Sequence, residues 1–243
     1  MSAQQIIPRV LEMFPEISSV VDFGCGTGAW LSVFKQCGID SVKGIDGGAS
    51  DNKSRLIGAS EYQHANFISD TLTDVRADLA MSLEVAEHFD EQYAHGFVKN
   101  LCNASDLILF SAAIPEQGGI NHVNERWPSY WQDIFSAHNY QLYDVIRSHI
   151  WLDERIEWWY RQNIFVIVNR SNQDLMARLQ SLLAEQTPIL NLVHPENFLY
   201  AHKQANKLAN EHEKLQKAHA ERSTTARQSI LRRLKNLLSG SRA

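Results

Sequence analysis

Apolar and polar positions along this chain fall into two alternating rhythms. In residues 2–15, Ile6, Ile7, Val10, Leu11 and Phe14 recur at helical spacing, and that amphipathic helix stops near Pro15. Short apolar runs come next at Val20–Phe23, Val42–Asp46, Asp78–Leu83 and Asp106–Ala113, with a further strand ahead of Phe67. Helical stretches lie between them, the first over Thr27–Gln36. Strands alternating with helices through residue 115 predict a parallel sheet covered by helices on both faces, the doubly wound α/β class. Residues 116–128 read as a long loop, and Pro128 suits the first turn of a helix over residues 129–138. Gln141–His149 then alternates as a strand, residues 151–161 are rich in aromatics, and Ile164–Val168 forms a final apolar strand.

The pattern changes after Asn169, which divides the chain into a body over residues 1–170 and an extension over 171–243. Leu175, Leu179, Leu182 and Leu183 mark one more helix, and Pro188 and Pro195 break the helical pattern beyond it. Residues 196–221 are polar and helix-favouring, with Ala201, Leu208 and Leu215 seven apart. They form a thin coiled-coil seam that would make a homo-oligomer. Over residues 227–238, Ile230, Leu231, Leu234, Leu237 and Leu238 share one side, with Arg232, Arg233 and Lys235 elsewhere. Such a basic amphipathic helix suits peripheral contact with an anionic membrane or with a protein partner, or docking on the chain's own body.

Composition narrows the class. With 243 residues and 44% apolar residues, the chain can bury a full core and is not a disordered segment. It has no apolar run of about 18 residues for a membrane span, and no basic-then-apolar start of the signal-peptide kind. Cys25, Cys37 and Cys102 show neither metal spacing nor pairing logic, which fits a reducing, cytoplasmic setting. The net charge of −5 is uneven: residues 200–243 carry ten Lys/Arg against three Glu, a balance of +7 that leaves −12 for the rest. An acidic body argues against a broad nucleic-acid surface, and the basic tail argues for a separate job.

The most informative stretch is Val20–Trp30, where a buried strand runs through Asp22 into Gly24, Gly26 and Gly28 and on into a helix. Glycine lets backbone approach a ligand closely, and free N–H groups of the helix start point at it. A dinucleotide turn, G-x-G-x-x-G, would need glycine at position 29, where Ala29 stands. The pattern instead resembles motif I of class I S-adenosylmethionine-dependent methyltransferases, and four further features fall in that family's order over residues 15–170. Val42–Asp46 is a second strand ending in an acid able to take both ribose hydroxyls, although Asp46 beside Gly47-Gly48 could equally cap a turn. Phe67–Leu72 supplies Asp70, or Asn66, for the adenine. Asp78–Leu83 runs into Glu84-Val85-Ala86-Glu87-His88, similar to the fourth motif, and the fifth strand ends at Ile114-Pro115 where an acceptor loop should begin. The resemblance implies a seven-stranded, mostly parallel sheet with its last strand antiparallel beside the fifth. It assigns S-adenosyl-L-methionine to Asp22, Gly24, Cys25, Gly26, Gly28, Asp46, Asp70 and Leu83.

Two clusters fall where the acceptor should lie. On a helical turn Glu84, Glu87 and His88 would face one way, able to bind magnesium or manganese. The run resembles the E-x-x-E-H motif of metal-dependent O-methyltransferases in ubiquinone biosynthesis and small-RNA 2′-O-methylation. There a later histidine completes the site, a role that falls to His122 in Gly118–Glu125. Without a metal, His88 or His122 could act as the catalytic base. Every tryptophan except Trp30 lies within residues 127–160. Trp127, Tyr130, Trp151, Trp159 and Tyr160 beside Arg161, Gln162 and Asn163 suggest a ring-binding wall, with Trp131 and Trp158 assigned to the core. Residues 158–163 resemble a stretch in methyltransferases of bacterial surface-polysaccharide pathways. The reading is an O-methyltransferase acting on a sugar, glycan precursor or small hydroxylated metabolite. The alternatives are an RNA 3′-end 2′-O-methyltransferase, a non-catalytic cofactor-binding scaffold and a nicotinamide oxidoreductase.

Overall fold

The computed structural model describes residues 1–48, 54–182 and 191–239; beyond His219, only the Arg222 side chain is described. The body opens with helix α1 (Ala3–Met13), followed by β1 (Ser19–Phe23), α2 (Ala29–Gln36), β2 (Ser41–Asp46), β3 (Tyr62–His64) and β4 (Leu79–Leu83). Next come α3 (Glu91–Ala104), β5 (Leu107–Ser111), α4 (Pro128–Ala137), β6 (Tyr140–Tyr143), α5 (Arg147–Ile150), α6 (Trp158–Asn163), β7 (Phe165–Asn169) and α7 (Gln173–Leu182). The strands form one seven-stranded sheet in the order β3-β2-β1-β4-β5-β7-β6. All pairings are parallel except those of β7, which runs antiparallel between β5 and β6. This is the Rossmann-like sheet expected from the alternation.

Period-two alternation along each strand builds two cores. Val20, Met81, Leu109 and Val166 face Ile6, Val10, Leu31, Phe34 and Leu179 on one side. Val21, Ala80, Phe110 and Ile167 face Phe97, Leu101, Trp131 and Phe135 on the other. The register of β1 against β4 is locked where both strands begin. There Asp78 Oδ2 accepts hydrogen bonds from the N–H and hydroxyl groups of Ser18 and Ser19 at 2.7–2.9 Å.

Two element boundaries differ from expectation. Helix α2 begins at Ala29 rather than Thr27, because Gly28 is left-handed (φ 78°) and the helix starts only after it. The strand expected over Gln141–His149 ends at Tyr143. Asp144 turns the chain by accepting Arg147 Nε and Nη2 at 3.0 and 2.6 Å, and the residues after it form α5. The compact body continues to Asn197, past the change in composition at 170. Leu183 and Pro188 lie outside the described residues. Helix α8 (Pro195–Ser239) covers the remainder, and its side chains from His202 to His219 are exposed, Leu208 and Leu215 included. The side chains proposed for a basic amphipathic surface at 227–238 lie outside the described residues. No helix among the described residues is long and apolar enough to cross a membrane.

Burial works to raise the Asp78 pKa, but the donors from Ser18 and Ser19 outweigh it and hold the carboxyl below its usual range. Asp78→Ala should cost about 1–2 kcal/mol, read as a lower urea midpoint at pH 7. A depressed acid stabilises above its unfolded pKa of about 3.9. The gap between variant and wild type should therefore close as pH falls through the lower folded value.

Candidate active site

The carboxyl ends of β1, β2 and β4 converge on the glycine turn. Gly24 is left-handed (φ 89°), and a Cβ there would collide with Val85. At Gly28, also left-handed, a Cβ would sit 2.8 Å from Ile57 Cγ1. Only glycine lets the turn fold this tightly under Val85 and Ile57. Gly24 and Cys25 donate their N–H groups to Ile45 O at 2.8 and 3.2 Å. The Asp46 carboxylate accepts from Gly26 N at 2.8 Å and Gly48 N at 2.6 Å, so one acid pins the turn to the end of β2. Asp22 is buried behind it, and burial together with the nearby Asp46 charge raises its pKa well above the usual range.

A cavity of about 570 Å³ opens over this turn, lined at one end by Asp46, Asn66 and Phe67 and at the other by Glu84, Val85 and His88, with Gly24 also in its wall. This is where ligands bind in open α/β sheets. A cleft of about 430 Å³ beside Asp78 and Arg178 lies at the amino ends of the strands, remote from these groups. Of the residues assigned to the donor from the sequence, Gly24 and Asp46 line the cavity. Asp70 does not. It is exposed, and its carboxylate closes a turn by accepting from Asn66 N (2.8 Å) and Ser69 Oγ (2.8 Å), so it presents Asn66 instead. The Cys25 thiol packs beside Gly44, pushed up to about 12 by burial and then by Asp22 and Asp46. Leu83 ends β4 within the core.

The expected helical turn over residues 84–88 is not formed. Glu84 is left-handed (φ 56°), Val85 is extended in φ at −131°, and only Ala86–His88 makes a 3₁₀ turn. Glu84 donates its N–H to Ser111 O and Oγ at 3.0 and 3.1 Å, which holds this backbone. Its carboxylate therefore leaves the face of Glu87 and His88 and turns towards Gln117 (2.9 Å) and Asn163 (3.2 Å). Burial raises its pKa, opposed by the donors from Asn163, Gln117 and Ser111.

Glu87, His88 and His122 come together instead, with one ligand atom from each within 4.8 Å of the others. Glu87 is fully buried, and neither carboxylate oxygen has a hydrogen-bond partner. The loop from 117 to 125 is folded over it: Val123 and Asn124 donate to the Glu87 carbonyl at 2.9 and 3.0 Å. The same loop presents His122, whose ring fits only because Gly119 lacks a Cβ. His122 Nδ1 lies 2.9 Å from Glu125 Oε1, and His88 Nδ1 lies 3.3 Å from the Asn121 carbonyl. Both acceptors call for hydrogen on Nδ1, so in a neutral ring the lone pair lies on Nε2, and Nε2 of His122 lies 4.0 Å from Glu87 Oε1. Burial lowers the His88 pKa, with His122 adding to it against the Asn121 bond. Burial pushes the Glu87 carboxyl up to about 9, with the Glu84 charge adding to it. The donor set is one carboxyl and two imidazoles, suited to a divalent metal; Glu84 lies outside it.

The aromatics divide. Trp131 is buried in the core as expected, whereas Trp158 is half-buried and packs edge-on to Trp159 at 5.5 Å. Tyr160 meets Trp30 at 5.1 Å and Trp159 at 6.0 Å, and lies close enough to Glu84 to feel its charge. Arg161, Gln162 and Asn163 are buried and take no part in a surface wall. Sequence reasoning missed Gln117 and Phe67. Neither carries a signal of its own, since a glutamine in a loop and a phenylalanine after a strand are ordinary before the fold is known.

The chain matches, over residues 2–162, the family described as a methyltransferase domain. No curated protein matches it. Among solved structures, the sugar N-methyltransferase KedS8 from a Streptoalloteichus species is 13% identical, with a TM-score of 0.54 over 70% of this chain and 87% of that one. CalS10, an amino pentose methyltransferase from Micromonospora echinaspora, is 14% identical, with a TM-score of 0.50 over 69% and 89%. The methyltransferase domain of bacterial CtHen1 is 16% identical, with a TM-score of 0.49 over 69% and 97%.

The burial of Glu87 has a measurable consequence. Between its ordinary pKa of about 4.3 and its folded value, the native state keeps a proton that the unfolded chain releases. Stability of the metal-free protein should fall as pH rises from 5 towards about 9, and Glu87→Gln should flatten that decline. Urea unfolding across this range checks it; parallel curves for the two proteins would contradict the assignment.

Proposed function

Since the chain belongs to the methyltransferase-domain family, we propose that it transfers the methyl group of S-adenosylmethionine to a hydroxyl of a sugar, glycan precursor or similarly small polar metabolite, assisted by a divalent cation at Glu87, His88 and His122. The observation that carries this reading is the buried, unpartnered Glu87 carboxyl beside the imidazoles of His88 and His122, the first of which lines the cavity over the glycine turn. The donor brings a methyl group already activated by its sulfonium charge, so the protein's work is alignment and removal of the acceptor's proton.

Each part of the cavity has a task in this scheme. Asp46 is placed to accept from the ribose hydroxyls, and Asn66 and Phe67 to meet the base. Gly24 lets the backbone come close to the methionyl half. Magnesium or manganese, when bound, would lower the pKa of a coordinated hydroxyl. Glu125 orients His122 through Nδ1, which leaves Nε2 free to hold a cation or to accept the acceptor's proton. The half-buried rings of Trp158, Trp159 and Tyr160, the last of them near Glu84, offer a wall for a sugar face. The balance of −12 outside residues 200–243 disfavours a polyanionic acceptor such as RNA.

The test is methyl transfer from labelled donor into neutral sugars and glycan precursors, with and without chelator. Chelator should abolish transfer and manganese or magnesium should restore it. His122→Ala should reduce the rate by roughly 100-fold or more with little change in donor affinity. Full activity in excess chelator would reject the cation and leave His122 as a base alone. Transfer confined to RNA would reject the acceptor class.

A further inference from the structure

Glu84 is a carboxylate whose hydrogen-bond partners are neutral amides. Gln117 Nε2 and Asn163 Nδ2 donate to it at 2.9 and 3.2 Å, and no lysine or arginine among the described residues pairs with it. The nearest arginine in sequence to this cluster, Arg161, is paired with Glu196 at 2.7 Å. Asp22 and Asp46 add further negative charge on the same side of the sheet. A buried carboxylate with no lysine or arginine partner, and only the His122 imidazole in electrostatic range, is costly unless a cation arrives with the ligand. Its unburied part faces the cavity at the end opposite Asp46 and Asn66, where the amino-acid half of a donor must lie if the nucleoside occupies the other end.

The amides that hold Glu84 are themselves held. Asn163 Nδ2 also donates to Gln117 Oε1 at 2.8 Å, and Gln162 Nε2 donates to Gln117 Oε1 at 3.3 Å and to Asn163 Oδ1 at 3.0 Å. Gln162 Oε1 in turn accepts from His194 N at 2.8 Å and Asn197 Nδ2 at 3.2 Å. Gln117, Gln162 and Asn163 are all at most 5% exposed, so this amide chain cannot relax into water. It fixes which way the carboxylate points, with each amide oxygen turned to a donor and each donor turned to Glu84 or its clamp.

Resting on the reading of the cavity as a donor site, we propose that Glu84 pairs with the ammonium group of the donor's methionyl half, and that Asn163 and Gln117 are positioning residues that hold it there. Segment 194–197, where the compact body ends and α8 begins, is then part of the donor site's support through Gln162. Glu84 stands apart from the cation ligands for this reason: it serves the donor and not the acceptor.

Two ligands separate this from a merely structural role. S-adenosylhomocysteine carries the ammonium, whereas 5′-methylthioadenosine is a nucleoside thioether without the amino-acid half. Calorimetry on the full chain should show Glu84→Gln binding S-adenosylhomocysteine at least tenfold more weakly than wild type, with 5′-methylthioadenosine unchanged. Asn163→Ala should show the same selective loss, at least threefold. Unchanged S-adenosylhomocysteine affinity in Glu84→Gln would overturn the proposal, as would equal losses for both ligands in both variants. Wild-type binding of neither ligand would instead reject the donor cavity itself, and is read first.

Discussion

A single backbone reversal at the end of β4 organises the whole site. Glu84 adopts φ 56°, a conformation that costs a residue with a Cβ about 1–2 kcal/mol. The two bonds from its N–H to Ser111 and the amides on its carboxylate offset that cost. Because the chain reverses there, two acids three residues apart point to different places. Glu84 turns to the cavity over the glycine turn, and Glu87 turns under the 117–125 loop to meet His88 and His122. Had residues 84–88 formed a regular helical turn, all three side chains would crowd one face and the cavity would lose its end wall.

Electrostatics follow from that division. Asp22, Asp46, Glu84 and Glu87 are gathered within one end of the sheet, and the pKa values of Asp22, Glu84 and Glu87 are raised, in each case by burial first. Such an accumulation is unfavourable for the empty fold and favourable for cationic ligands. It suits both a sulfonium donor with its ammonium group and a divalent ion. A stability deficit concentrated at a functional cleft is the usual mark of groups arranged for binding rather than for folding. The fold tolerates it because β1, β4 and β5 are buried on both faces and Asp78 locks β1 to β4 at their opposite ends.

The loop between β5 and α4 joins the two halves of the chemistry. Its beginning supplies Gln117 to the Glu84 clamp, and its middle supplies His122 to the imidazole pair. Left-handed Glu116, Gly118 and Asn121 give it the sharp turns needed to do both within a few residues. Tyr160 and the amides of α6 pack from the other side, so this loop and the aromatic stack converge on the same acid.

The doubly wound sheet, Asp22 and the glycine turn, Asp46 at the end of β2 and the pairing of His88 with a later histidine were legible in the amino-acid order. Periodicity, glycine spacing and strand–acid junctions are local properties, and the tertiary fold had only to agree with them. What the order could not contain was the direction of side chains whose backbone is set by distant partners. The separation of Glu84 from Glu87 depends on Ser111 and Asn163. The exclusion of Asp70 depends on its closing a turn on Asn66, and the burial of Arg161, Gln162 and Asn163 depends on segment 194–197 lying against them. Except for the local Asp70–Asn66 turn, those contacts span tens of residues, and hydrogen-bond geometry between such distant groups is decided only once the sheet has brought them together.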